Sequence, residues 1–422
     1  MNSLLDSEAE PDVLIVGAGP AGLAAAAALS AAGIEKILVI DRDDAPGGLP
    51  RFCPHPGFGL EYCRWPHTGP GFVARLLKTL RGRAVRIECA TTLLSLRDGP
   101  LAEIVGPRAG LRLLSPRAVI LATGIRESNR GNLLIPGGRA ESGIMTTGQL
   151  QRLAALKARL PNYLRSLVVV GTDHVAFSAI LTARHLRLSV KALIGEEDRV
   201  MSYAPLAWLA RACGIEVATG TRTQSIATAG GRVRAIEVAD ARGEREIGCD
   251  AILFSGKWLP EVAFLCGSPV EIDQRTNGPV IDQAMRTTCS GVFAAGNVLH
   301  GVESSGWCAV EGARVGASVE RYLRGEMDGA QGQAEFARSS EIDFIVPQRW
   351  DDQLTHLDPK IRIPVTLRVA NDLHKRRLVL LTDQSEIPLS RRQAFLRQRR
   401  AAVDFNNIGG LGAQRRALIT FA

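Results

Sequence analysis

"DVLIVGAGPAGLAAAAALSAAG", residues 12–33, holds a strand, a glycine-rich turn and a helix in immediate succession. Asp12 to Val16 is an apolar strand, Gly17-Ala18-Gly19-Pro20-Ala21-Gly22 is the turn, and Leu23 to Ala32 is an alanine-rich helix closed by Gly33. Gly17 permits the tight turn, Gly19 lets backbone approach a pyrophosphate, and Gly22 lets the helix pack against the strand. The helix N-terminus then offers free N–H groups and a partial positive charge to that anion, with Pro20 and Ala21 at its entrance. A second strand, "KILVID" at 36–41, ends in Asp41, where an acid takes a ribose hydroxyl; Arg42 follows it. Asp41 could also merely start the next loop, but strand, turn, helix, strand and acid in this order make a dinucleotide site.

The chain around this segment has 422 residues, 46% hydrophobic and 22% charged, enough to bury a large core and to suggest two or three domains. The eight cysteines (Cys53, Cys63, Cys89, Cys213, Cys249, Cys266, Cys289 and Cys308) stand singly, without a C-x-x-C. That argues against a disulfide framework, a structural zinc site or an iron-sulfur cluster held by this chain alone. The start lacks a basic segment followed by an apolar one, so the chain reads as cytoplasmic and without a membrane span. A net charge of +8 comes mostly from arginines scattered among acids, which speaks against a nucleic-acid partner. The strongest basic run, Arg391, Arg392, Arg397, Arg399 and Arg400, reads as a solvated helix face or as a docking surface for an acidic partner.

Two later segments indicate which nucleotide is bound. "AVILATGIRE" at 118–127 is a strand running into Thr123-Gly124, and "GVFAAGNVLHGVESSGWCAVEG" at 291–312 is a strand ending in Gly296-Asn297 before a helix. With these, the chain resembles the two-dinucleotide-domain flavoproteins, the glutathione-reductase-like or pyridine nucleotide-disulfide reductase-like oxidoreductases. The resemblance implies an α/β fold of two Rossmann-like nucleotide-binding domains and FAD as cofactor. It places FAD on Gly17, Gly19, Pro20, Ala21, Gly22, Asp41, Arg42, Gly48, Thr123, Gly124, Gly296 and Asn297. The third motif in that group usually ends in aspartate; Asn297 still accepts a ribitol hydrogen bond but carries no charge. The implied organisation is a discontinuous FAD domain, 10–145 and 259–325, around an inserted nucleotide-fold domain, 146–258.

The insert carries its own fingerprint, "VVVGTDHVAFSA" at 168–179, but Asp173 stands between Gly171 and Ala176 where the second glycine belongs. A side chain there blocks the approach of a pyrophosphate, and a carboxylate adds like-charge repulsion on the order of 1–4 kcal/mol near a surface. Asp173 is also a good helix N-cap. Both readings disfavour NAD(P)H and leave open a different nucleotide or none.

Disulfide reductases of this group also carry a cysteine pair, a few residues apart in the first domain or as C-x-x-C in the second, so that one thiolate attacks and the other resolves. Here "PGGLPRFCPHPGFGL" offers Cys53, with Cys63 too distant for either pattern. Instead "RDDAPGGLPRFCPHPGFGL", "LLIPGGRAESGIMTTGQLQ" and "GVESSGWCAVEG" together resemble a narrower family. These are the FAD-containing α subunits of heteromeric D-hydroxyproline, opine and proline dehydrogenases and of hydrogen cyanide synthase. The resemblance implies a second flavoprotein (β) subunit that oxidises the amino or imino acid, with electrons then passed through the α subunit. With no cysteine after Cys308, any [2Fe-2S] cluster must come from a small iron-sulfur subunit. "GGLPRFC" departs from the "GGQ" start of the hydroxyproline and opine branches, which leaves the substrate open.

The catalytic candidates are Cys53, on a flavin-side loop, and His300 and Glu303, which with Trp307 follow the third motif where a helix N-terminus faces the flavin. His55 and His67 lack a metal-ligand spacing, so no metal is expected. Residues 326–340 read as a polar linker, and 341–422 as a β-containing appendage with strands at 363–369 and 376–382, then a basic helix and an Asn-Gly loop. That appendage docks partner subunits or caps the FAD domain. Three functions compete: an electron-transfer α subunit of such a complex, a self-sufficient FAD-dependent NAD(P)H oxidoreductase, and a non-catalytic scaffold that retains a nucleotide.

Overall fold

The computed structural model describes residues 10–108, 110–327, 333–351, 363–382, 385–397, 399–405 and 416–422. Among these, the α-helices are α1 (Pro20–Ala31), α2 (Leu60–Cys63), α3 (Gly69–Thr79), α4 (Thr147–Ala155), α5 (His174–His185), α6 (Ala204–Ala212) and α7 (Ser305–Leu323).

The run Val13–Val16 is wholly buried, as a central parallel strand must be. It pairs in parallel with Ile37–Ile40 on one side and Ala118–Leu121 on the other, and Val85–Glu88 and Val292–Ala294 complete a five-stranded sheet. α1 crosses α7 along small residues: a Cβ at Gly312 would lie 2.0 Å from the Ala21 carbonyl, and one at Gly316 2.8 Å from the Ala28 Cβ. Only glycine allows that approach, which brings the segment 291–312 against the turn at Gly17–Gly22.

A second parallel sheet runs Ile144–Thr146, Ala251–Phe254, Ser166–Val170, Ser189–Ile194, Glu216–Ala218, with α4, α5 and α6 supplying its apolar cover on one face. A three-stranded antiparallel meander, Arg222–Ala229, Arg232–Asp240 and Gly243–Gly248, covers the other. The chain passes between the two sheets twice, at Ile125–Arg126 and Leu259–Pro260, and these passages pair with each other antiparallel.

The C-terminal unit departs from the sequence expectation in two places. The segment 326–340, expected as linker, contains the strand Gln333–Arg338, which pairs with Arg349–Asp351 and in parallel with Arg416–Phe421; Phe336 packs edge-on against the buried Trp350. The basic stretch expected as a helix instead forms the short strands Glu386–Pro388, Gln393–Phe395 and Ala401–Phe405. Pairing of Ala401–Phe405 with Ile363–Val369, and burial of Phe395 against Phe421, override the local helical preference. The expected strands are present as Ile363–Val369 and Leu378–Leu381, while the Asn-Gly loop lies outside the described residues. Phe344 and Val346 of this unit belong to the same buried cluster as the first sheet. A buried Arg286 bridges Asp282 of the first domain and Asp351 of the C-terminal unit at 2.6 and 2.5 Å. No helix among the described residues is long and apolar enough to cross a membrane.

Candidate functional site

The two parallel sheets repeat one local geometry, so their nucleotide turns can be compared atom by atom. The Gly17 amide donates to the Ile40 carbonyl at 2.8 Å, and the Gly171 amide donates to Ile194 at 2.7 Å. The Ala122 amide donates to Val16, and the Ser255 amide to Val170, both at 2.8 Å. Gly19 therefore corresponds to Asp173, Asp41 to Gly195, and Gly124 to Lys257.

The first turn is open at its helix start. α1 has Gly19 as N-cap without any side-chain cap, and Pro20 occupies its first turn. A Cβ at Gly19 or Gly124 would meet nothing within 4 Å, so the space before both is open. Behind them the packing is closed: a Cβ at Gly17 would lie 2.3 Å from the Ala122 carbonyl and one at Gly22 1.9 Å from the Gly17 carbonyl. Asp41 accepts from the Ala18 amide at 2.7 Å and the Asp43 amide at 2.9 Å, fixing its carboxylate at the strand end. Burial raises its pKa, against the pull of those two amides. Gly48 approaches Gly19 closely, and the Gly47 amide donates to Ala18. Arg42 is largely exposed and pairs with Glu261, whose backbone accepts from the Thr123 hydroxyl at 2.8 Å.

Gly296 and Asn297 lie at the end of the strand Val292–Ala294, with Ala21 packed against Gly296. Asn297 Oδ1 accepts from the Glu303 amide at 2.8 Å, and its Nδ2 donates to the Glu303 carbonyl at 3.3 Å. The Gly296 amide donates to Glu311 at 3.1 Å. These residues fit FAD: an uncapped helix start, an acid at the strand end and open space before Gly19 and Gly124. Bound FAD would supply electron-transfer chemistry. The chain would supply backbone N–H groups at the start of α1 for the pyrophosphate, Asp41 as ribose acceptor and the orientation of the segment at Gly296 and Asn297.

The second turn is filled by the protein itself. Asp173 caps α5, accepting from the Ala176 amide at 2.8 Å. The same carboxylate accepts from the Ser255 hydroxyl at 3.0 Å and the Trp258 indole N–H at 3.1 Å. Gly195 removes the ribose acid, and the next acid, Glu196, pairs with Lys257 at 3.2 Å. Gly171 retains its turn conformation, with φ +138°.

The sequence candidates for catalysis lie in buried hydrogen-bond and ion-pair networks. Cys53 is buried, and its thiol, donating towards Gln151 Oε1 at 3.4 Å, is pushed up to about 12 by burial and by the charge of Glu127. A thiol held protonated is not a nucleophile. His55 bonds Ser178 of α5 at 2.6 Å, and Gln151 donates to the same hydroxyl at 2.9 Å, so this loop ties the two domains together. His300 and Glu303 are buried in an ion-pair network with Glu311, Arg368 and Arg400. Sequence reasoning also missed Glu127, whose carboxyl burial pushes up to about 7 although the Gly148 amide, Thr146 and Thr147 pull the other way. Its closeness to Cys53 and Asp173 depends on the interdomain passage, which no local pattern encodes.

Two Rossmann-type sheets joined by paired passages, one with an open turn and one with a closed turn, define a protein of two nucleotide-fold domains. The chain belongs to the pyridine nucleotide-disulphide oxidoreductase family, which residues 11–313 match. Membership implies FAD and a nicotinamide nucleotide as cofactors. The chain is 28% identical over 320 residues to an opine oxidase subunit of Agrobacterium tumefaciens (strain Ach5), covering 68% of this chain and 61% of that protein. It therefore spans about six tenths of the length of that relative. It is 27% identical over 307 residues to thioredoxin reductase of Treponema pallidum (strain Nichols), covering 69% and 90% of the two chains. The crystal structure of T. acidophilum thioredoxin reductase superposes with a TM-score of 0.62 at 20% identity, over 74% of this chain and 98% of that one.

Proposed function

We propose that this chain is the FAD-carrying, electron-transferring α subunit of a heteromeric dehydrogenase acting on an amino or imino acid of the D-hydroxyproline, proline or opine kind. The observation that carries this reading is the Asp173 carboxylate, which takes the α5 N-terminus, Ser255 and Trp258 for itself. A dinucleotide pyrophosphate needs that same helix start and would meet a fixed negative charge. A chain that NAD(P)H does not feed receives its electrons from elsewhere; the likeness to a protein named as a subunit of an opine oxidase supports a multisubunit complex, in which we place a second flavoprotein (β) subunit as the donor. The paired cysteines of a disulfide reductase are missing from the sequence, and Cys53 is held as a neutral thiol. The family and the likeness to thioredoxin reductase favour a second reading, a self-sufficient NAD(P)H oxidoreductase.

The test is purification of the tagged chain from its native cells with its partners intact. The expected result is FAD together with a second flavin, and bleaching on anaerobic addition of hydroxyproline, proline or an opine. A chain that purifies alone with FAD and is bleached by NADH or NADPH instead overturns the reading.

A further inference from the structure

The C-terminal unit reaches the third FAD segment through two arginines. Arg368, on the strand Ile363–Val369, donates to Glu303 Oε1 at 2.6 Å and to the Val302 carbonyl at 3.1 Å. Arg400 donates to Glu311 Oε1 at 3.0 Å and lies over the Trp307 ring at 4.5 Å. Its side chain is 9% exposed, and those of Glu303 and Glu311 are 5% and 6%, so these charges meet away from water. His300 approaches Glu311 Oε1 at 3.5 Å while its ring stacks on Phe344 of the C-terminal unit. Both glutamates lead directly to the FAD segment: the Glu311 carboxylate holds the Gly296 amide through Oε2, and the Glu303 backbone holds both ends of the Asn297 side chain.

We infer that Arg368 and Arg400 are positioning residues of the flavin site, so that the C-terminal unit forms part of that site. This rests on the proposal that the first domain holds FAD. Without the arginines, Glu303 and Glu311 would be two buried carboxylates beside the first turns of α7, facing one histidine. Such groups take up protons or turn towards water, and either movement releases Gly296 and Asn297. Burial alone would raise the Glu311 carboxyl, yet His300 and Arg400 outweigh it and hold it down to about 2. His300 is raised despite its burial, because Glu311 and Glu303 favour its charged form. Arg368 and Arg400 each place a full positive charge beside these carboxylates, and a positive charge favours the electron-rich state of a neighbouring flavin.

The test uses the full-length holoprotein and three variants, Arg368→Met, Arg400→Met and Arg400→Lys, read by FAD dissociation constant and two-electron midpoint potential. Arg400→Met and Arg368→Met are each expected to weaken FAD binding at least tenfold. Each is also expected to lower the potential by about 30 mV, a tenfold change in the equilibrium constant for two electrons. Arg400→Lys keeps the charge but not the planar stack on Trp307, so it should hold the potential while weakening FAD severalfold. It also provides a readout should the methionine variants fail to fold. Folded variants with wild-type affinity and potential overturn the inference, as does a lysine variant indistinguishable from wild type in FAD affinity. A wild-type chain that releases no FAD on denaturation overturns the cofactor reading instead, and the two failures are distinct.

Discussion

At Asp173 and Gly19, corresponding positions of two repeated turns, one side chain separates an open helix start from a closed one. Replacing Asp173 by alanine removes an N-cap and leaves the Ser255 hydroxyl and Trp258 indole without their acceptor. The expected loss is about 2 kcal/mol in a urea unfolding experiment; an unchanged midpoint would mean that the three hydrogen bonds do not stabilise the fold. Glu127 gives a second prediction. Its folded pKa of about 7 lies above the ordinary carboxylate value, so the folded protein holds that proton more tightly. The associated stability is full below about pH 4.5 and fades as pH rises through about 7. Glu127→Gln should flatten that dependence and raise stability at pH 8 by about 3 kcal/mol. A pH series of denaturation midpoints identical to wild type would contradict this. The Asp173 substitution and its capping role are legible in sequence, because both follow from one turn. Its ties to Ser255 and Trp258 are not, since these lie just past the strand Ala251–Phe254, 82 and 85 residues away in the chain.

Among the elements, α1 and α7 decide whether the nucleotide turn and the third segment meet. A Cβ at Gly312 would lie against a backbone carbonyl that cannot yield, whereas one at Gly316 faces the Ala28 methyl at 2.8 Å and the Ala25 carbonyl at 2.9 Å. Gly312→Val should cost roughly 3 kcal/mol or more and release FAD, and Gly316→Ala less. Thermal denaturation with and without added FAD reads both, and the reverse order would mean that the crossing is not the constraint. α1 is visible in sequence because glycines, strand and helix are contiguous. The segment around Arg391 to Arg400 is not, because its strands depend on pairing with Ile363–Val369 and on Phe395 meeting Phe421. Local composition favours a helix there, and the core of the C-terminal unit overrides it.

Over the whole molecule, the C-terminal unit shares buried surface and buried charge with the first domain. Arg286 sits between Asp282 and Asp351, and Phe344 and Val346 complete the first domain's core. Asp351→Ala should cost about 3 kcal/mol, as the loss of a buried charge partner does. It should leave a single unfolding transition seen alike by tryptophan fluorescence and circular dichroism. Two separated transitions would mean that the unit folds independently.

On the proposed function, the second domain answers to its own Asp173 carboxylate rather than to a nicotinamide nucleotide. Anaerobic stopped-flow absorbance of the FAD-loaded chain mixed with NADH or NADPH puts this to the test in one step. The flavin band should stay unchanged on the timescale of turnover, with reduction only when partner subunits and their amino or imino acid are added. Rapid bleaching by NADH or NADPH would show instead that a nicotinamide nucleotide feeds the flavin despite Asp173, and the proposed function would fall.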